Sequence, residues 1–324
     1  MTVRQLGSTG LLVSPLGLGL AALGRPAYIT LGRSLDLGTD RSVAAMERRC
    51  HEMLDAAHSA GIRYVDAARS YGRAEEFLAS WLAGRDVSSA RMTVGSKWGY
   101  AYTGGWRLDA PAHEVKDLSV EMLHRQSGES RALLGNRLNL YQIHSATLES
   151  GVLDDGRVLG ELARLRSEGL AIGLTVSGPR QADVIRRALD VSVDGVNPFQ
   201  TVQATWNLLE PSAGPALADA KAEGWGVIVK EALANGRLTD PHADEAVEPL
   251  VRQARTLGTT LDALAIAAAL SQPWVDVVLS GAVTHEQLRS HASALAIPAD
   301  AADWPSMAES PTDYWNRRST FRWE

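Results

Sequence analysis

In this 324-residue chain, four residues suited to moving a proton stand where short apolar runs end. Asp66 closes the run Ile62 to Val65, and Tyr71 follows five residues later in the turn Ser70-Tyr71-Gly72. Lys97 closes Met92 to Ser96, and His144 closes Leu138 to Ile143. A phenol has an ordinary pKa of about 10, so acid work near neutral pH asks for a cation beside it, and an ammonium held by a carboxylate supplies one. Taken singly, each residue has a plainer reading: a surface tyrosine in a turn, an ion pair between Asp66 and Lys97 at a rim, a satisfied core histidine. Brought to one rim they form a relay in which Asp66 fixes Lys97, Lys97 lowers the pKa of Tyr71, and His144 polarises the oxygen that receives the proton.

A scaffold must carry these residues to one place. Apolar runs predict strands at Ser14 to Gly19, Arg63 to Asp66, Met92 to Lys97, Leu138 to His144, Ala171 to Thr175, Gly195 to Gln200, Gly226 to Val229 and Val275 to Leu279. Amphipathic stretches between them predict helices at Val43 to Ala60, Ala74 to Ala83, Val115 to Leu134, Gly156 to Ser167, Arg180 to Leu189, Pro215 to Glu223, Leu261 to Leu270 and Thr284 to Ala294. Alternating strands and helices of this number predict an α/β fold, a (β/α)8 barrel, whose function gathers at the C-terminal strand ends. A doubly wound sheet needs a glycine-rich phosphate turn after its first strand. Gly17, Gly19 and Gly24 lack that spacing and an acidic residue for a ribose. Residues 24–40 and the tail 301–324, with Trp304, Tyr314, Trp315, Phe321 and Trp323, fall outside the repeat.

Length, 45% hydrophobic content and the absence of a Ser/Gly/Pro-rich linker favour one domain over 1–324. A formal net charge of −6 with interspersed signs gives no basic stripe for nucleic acid and no polybasic membrane patch. No run approaches a membrane span and Met1 to Gln5 lack a signal-peptide layout, so a cytoplasmic protein is expected. Cys50, the single cysteine, falls on the apolar face of a helix and reads as a buried thiol. His113, His124 and His285 read as surface groups, and no cluster has metal-ligand spacing. Oligomerisation is left open.

The words around the four residues resemble the aldo-keto reductase superfamily almost end to end. Arg4-Gln5-Leu6-Gly7 through Val13-Ser14 is similar to its opening hairpin, Gly61-Ile62-Arg63-Tyr64-Val65-Asp66 with Ser70-Tyr71-Gly72 to its aspartate and tyrosine signature, Gly95-Ser96-Lys97 to its lysine motif, and Leu140-Tyr141-Gln142-Ile143-His144 to its histidine motif. The resemblance implies an NAD(P)-dependent oxidoreductase that reduces an aldehyde, ketone or sugar, with Asp66, Tyr71, Lys97 and His144 catalytic. It equally admits an NAD-linked sugar dehydrogenase using the same residues in reverse, or a non-catalytic nucleotide-sensing subunit.

The implied cofactor is NADP, with NAD possible. Gln203 matches the family glutamine that contacts the nicotinamide carboxamide. Thr175 stands where the family has Ser-Asn, and Lys230 where it has an aromatic that stacks on nicotinamide. Thr284 opens a helix whose terminal amides can receive a phosphate, while Gly281 and Gln287 occupy positions at which NADPH-preferring members place lysine and arginine. Arg289 is the nearest cation. Trp98, Tyr100, Tyr102, Trp106 and the tail aromatics are expected either to wall a substrate pocket or to pack the extension.

Overall fold

The computed structural model describes residues 1–32, 36–85, 92–243, 245–298 and 304–323. The chain opens with an antiparallel hairpin, β1 (Arg4–Gln5) and β2 (Leu12–Val13). Eight parallel strands follow and close into a barrel: β3 (Leu16–Gly19), β4 (Tyr64–Asp66), β5 (Thr93–Trp98), β8 (Leu138–Ala146), β9 (Ala171–Val176), β10 (Thr201–Thr205), β11 (Gly226–Lys230) and β12 (Val277–Ser280), the last pairing back onto β3. A second hairpin, β6 (Tyr100–Tyr102) with β7 (Glu114–Lys116), follows β5.

The hairpin fills the end of the barrel opposite the strand C-termini. Leu6 and Val13 join Tyr64, Leu140, Ile228 and Val277 in a small core separate from the larger one between strands and helices. Around the barrel run α1 (Val43–Ser59), α2 (Ala74–Gly84), α3 (Val120–Leu134), α4 (Gly156–Ser167), α5 (Gln181–Leu189), α6 (Gly214–Ala222), α7 (Glu248–Leu257), α8 (Leu261–Leu270) and α9 (His285–Ser293), and α10 (Pro311–Ser319) lies in the tail. Their starts follow local chemistry: Ser42, Ser119, Asp155, Thr260, Thr284 and Ser310 each accept a first-turn amide. Among the described residues, no helix is long and apolar enough to cross a membrane.

Four local expectations are corrected. The sixth barrel strand is Thr201–Thr205, not Gly195 to Gln200. Pro198 has no amide to give a ladder, Asp194 and Gly195 take positive φ, and the Asn197 side chain donates to Ala188 and Leu189 carbonyls, so that stretch is a turn feeding the strand. The helix expected from Val115 begins at Val120, because Glu114–Lys116 pairs with Tyr100–Tyr102. Helices α7 and α10 were not anticipated, although Ser310-Pro311 is a legible start and Gly258, at φ 64°, a legible stop. His113, expected at the surface, is buried and stacks on Trp323 at 4.5 Å.

Candidate active site

The barrel brings Asp66, Tyr71, Lys97 and His144 to one rim. Asp66 ends β4 and Lys97 lies next to the end of β5, so parallel pairing sets them side by side. Lys97 Nζ donates to Asp66 Oδ2, to the Ala67 carbonyl at 3.0 Å and to the Tyr71 hydroxyl at 3.3 Å. An ammonium only 1% exposed demands such partners. Tyr71 and His144 rings meet edge-on at 5.4 Å, and His144 Nδ1 lies 3.4 Å from Ser70 Oγ.

Asp66 is held from beneath. Its Oδ1 accepts from the Tyr64 hydroxyl at 3.1 Å, Gln203 Nε2 at 3.1 Å and Gln142 Nε2 at 3.4 Å. The Tyr64 ring fits inside the barrel because its neighbours are glycines: a Cβ on Gly95 would lie 2.5 Å from the Tyr64 oxygen, and one on Gly17 2.8 Å from its ring. Gln203, expected at a carboxamide, thus spends one amide hydrogen on Asp66.

The electrostatics depart from expectation. Burial, and then the Asp66 carboxylate, push the Tyr71 phenol well above its ordinary pKa, so the expected lowering by Lys97 is not the net result. Tyr71 therefore rests protonated. Burial and the cations Lys97, Arg25, Lys230 and Lys116 depress His144 far below its usual value, leaving a neutral imidazole.

From this rim a cavity of about 850 Å³ runs to the start of α9. Thr175, Gln203, Lys230, Gly281, Thr284 and Gln287 all line it. Thr175 Oγ1 accepts from the Ser145 amide at 2.7 Å. Lys230 donates to Thr205 Oγ1 at 2.8 Å, and burial draws its pKa down to about 8. Thr284 caps α9, a Cβ on Gly281 would meet nothing within 4 Å, and Gln287 donates to Asp36 Oδ2 at 2.8 Å. Asp262 and Glu286 also line this end; Arg289 does not. Among the described residues, no cluster could hold a metal ion.

Sequence reasoning missed the charged pairs of the other wall. Buried Arg25 from the 24–40 segment donates to Glu114 at 2.9 Å, and Arg318 of α10 binds Glu231 through two nitrogens at 2.9 and 2.5 Å. Trp315, Trp323, Tyr28 and Tyr100 complete the wall, so of the expected aromatics Tyr100 of β6 and Trp315 and Trp323 of the tail face the pocket; Trp98 and Tyr314 instead are packed in the core, and Trp106 packs edge-on against Phe77. The available signal was arginine beside an aromatic in two non-repeating segments, Arg25 with Tyr28 and Arg318 with Trp315 and Trp323.

A closed parallel barrel with buried Asp66, Lys97 and Tyr71 clustered at its strand ends and facing a long cavity is an architecture that barrel oxidoreductases share. The model of the aldo/keto reductase family matches residues 16–310, and the chain belongs to that family. It is 27% identical to the D-threo-aldose 1-dehydrogenase of a Pseudomonas species over 95% of this chain and 97% of the relative. It is 25% identical to the L-galactose dehydrogenase of Arabidopsis thaliana over 90% and 88% of the two chains. The structure superposes on the holo form of aldo-keto reductase AKR11C1 from Bacillus halodurans with a TM-score of 0.68 at 21% identity, covering 98% and 96%. The family uses nicotinamide cofactors and acts on small carbonyl or sugar substrates.

Proposed function

We propose that this chain transfers hydride between a nicotinamide dinucleotide and a small carbonyl compound, with Tyr71 as proton donor. The observation that carries the reading is Lys97 Nζ bridging Asp66 and the Tyr71 hydroxyl where the barrel opens onto the cavity. When bound, the dinucleotide supplies or accepts the hydride. Tyr71, protonated at neutral pH, gives its proton to the substrate oxygen, and Lys97 steadies the phenolate left behind. Neutral His144, with Nδ1 toward Ser70, directs Nε2 to the same oxygen.

The residues fit a dinucleotide. The cavity reaches from the relay to α9, Gly281 leaves open space there, and the first-turn amides of His285 and Glu286 suit a phosphate. Lys230, which lines the cavity near the Asp66–Lys97–Tyr71 cluster, would border the nicotinamide in place of a ring. Carboxylates Asp36, Asp262 and Glu286 line the cavity beside α9, where the adenosine would lie, and Asp36 occupies the Gln287 amide. That charge favours a ribose hydroxyl over a 2′-phosphate, so NAD fits at least as well as the expected NADP.

The acidic end favours a second reading, an NAD-linked sugar dehydrogenase. Tyr28, Tyr100, Trp315 and Trp323 offer ring faces to a sugar, and the paired Arg25–Glu114 and Arg318–Glu231 offer polar edges. Two relatives are named for aldose and galactose oxidation. Assaying the purified protein with NAD, NADP and their reduced forms against aldoses, aldehydes and ketones tests both. Turnover of aldoses with NAD above the rate of carbonyl reduction selects the second, and no turnover with any cofactor rejects both.

A further inference from the structure

Arg25 is almost fully buried, and it lies outside the four residues of the proposed relay while touching one of them. Its Nε donates to the Ala21 carbonyl at 3.1 Å, and Nη1 donates to the Ser70 carbonyl at 3.0 Å and to Glu114 Oε2 at 2.9 Å. Its guanidinium carbon sits 5.0 Å from the Tyr71 ring centroid, 5.0 Å from Tyr28 and 4.6 Å from Trp323. The Tyr71 turn is locked to the same segment: Arg73 donates its amide to the Gly24 carbonyl at 2.7 Å, and a Cβ on Gly72 would lie 2.9 Å from the Arg25 side chain. Trp323 in turn lies flat on His113, with 14° between the rings. A guanidinium keeps its charge at every accessible pH, and aromatic walls exclude the water that would screen it.

We propose that Arg25 is a positioning residue and the second cation of the proton relay, seating the Tyr71 turn through Ser70 and stabilising the Tyr71 phenolate from the ring face. The inference rests on the reading of Tyr71 as the acid. Lys97 addresses the hydroxyl and Arg25 the ring, so the two act from different sides. The other charged or titratable groups facing Tyr71 are Asp66, Glu114, Glu231, Tyr28, Tyr64 and His144. Asp66, Glu114 and Glu231 oppose phenolate formation and Arg25 favours it. Glu114 thus moderates the cation it holds, and Trp323, near the chain end, closes the site over it.

Substitutions of opposite sign separate this role from a structural one. A ring-fluorinated tyrosine at position 71, titrated by fluorine NMR in the cofactor-free protein, reports phenol ionisation without turnover. Arg25→Met should raise the phenol pKa by about one unit, tenfold in the acid constant. Arg25→Lys should restore most of that shift, and Glu114→Gln, which removes the opposing carboxylate and keeps Arg25, should lower it. The alkaline limb of kcat for carbonyl reduction should move in the same directions. Arg25→Met lowering kcat equally at all pH with an unchanged phenol titration would reduce Arg25 to a brace for the turn and overturn the proposal. If Arg25→Met does not fold, Glu114→Gln decides alone, and an unchanged or raised phenol pKa overturns it. Absence of turnover in wild type together with the expected phenol shifts would sink the oxidoreductase reading while still showing that Arg25 acts on the Tyr71 phenol, so the two failures are distinguishable.

Discussion

At the scale of single residues, Lys97 does two jobs with one nitrogen: it neutralises Asp66 and it touches the Tyr71 hydroxyl. Tyr71→Phe removes the transferable proton and keeps the ring, so folding and cofactor binding should persist while kcat falls on the order of a hundredfold or more. Steady-state kinetics check this, and a kcat within a few-fold of wild type would remove Tyr71 as the acid. Lys97→Met takes a cation from beside a phenol whose pKa burial has already raised, so the alkaline limb of the pH profile should move further up. It also strands a buried carboxylate at Asp66, and lower stability should accompany the shift. An unchanged limb would exclude Lys97 from the relay.

Elements decide whether those residues meet. The loops after β10 and β11 are joined to helix α10 and the residues leading into it by Glu231 and Arg318, by Asn207 donating to the Tyr314 hydroxyl at 3.0 Å, and by Arg237 donating to Glu309 at 3.0 Å. Burial alone would push the Glu231 carboxyl up, but Arg318 and Lys230 hold it down at about 2 against an ordinary 4.5. Its pKa is lower folded than unfolded, so the stability it confers is complete above about pH 4.5 and lost as pH falls toward 2. By linkage this is about 3 kcal/mol. Glu231→Gln should therefore flatten the stability profile between those limits, as denaturant unfolding at a series of pH values would show; a slope equal to wild type would mean the clasp carries no such linkage. Within the barrel, Gly95→Ala drives a methyl against the Tyr64 hydroxyl that supports Asp66. Activity should fall with it, and full wild-type kcat would show that Tyr64 is dispensable to Asp66.

At the scale of the molecule, a single cavity joins chemistry at the strand ends to an acidic recess beside α9. With Gly281 and Gln287 uncharged, a 2′-phosphate gains no bidentate partner, worth about 1.4 kcal/mol or tenfold in affinity. NADH and NADPH should bind within roughly tenfold of each other, NADH the tighter if Asp36 and Glu286 face the ribose. Fluorescence titration with both reduced cofactors measures this, and an NADPH preference above a thousandfold would place the phosphate elsewhere.

The sequence by itself determined the barrel and that Asp66, Tyr71, Lys97 and His144 would meet at one rim of it. Strand periodicity, capping residues and motif order are local, and a strand's C-terminal end lies on the catalytic rim wherever a parallel barrel closes. Gly156–Ser167 and Leu261–Leu270 even carry their observed bounds, because their caps and apolar stripes lie within the segments. What only the tertiary structure decided depends on contacts across long stretches of chain. Arg25 meets Glu114 from 89 positions away and Arg318 meets Glu231 from 87, and no local pattern marks either pair. The resting state of Tyr71 belongs to the same class: its phenol is governed by desolvation and by the balance of surrounding charges, quantities that exist only once the barrel, the second hairpin and the tail have closed around it.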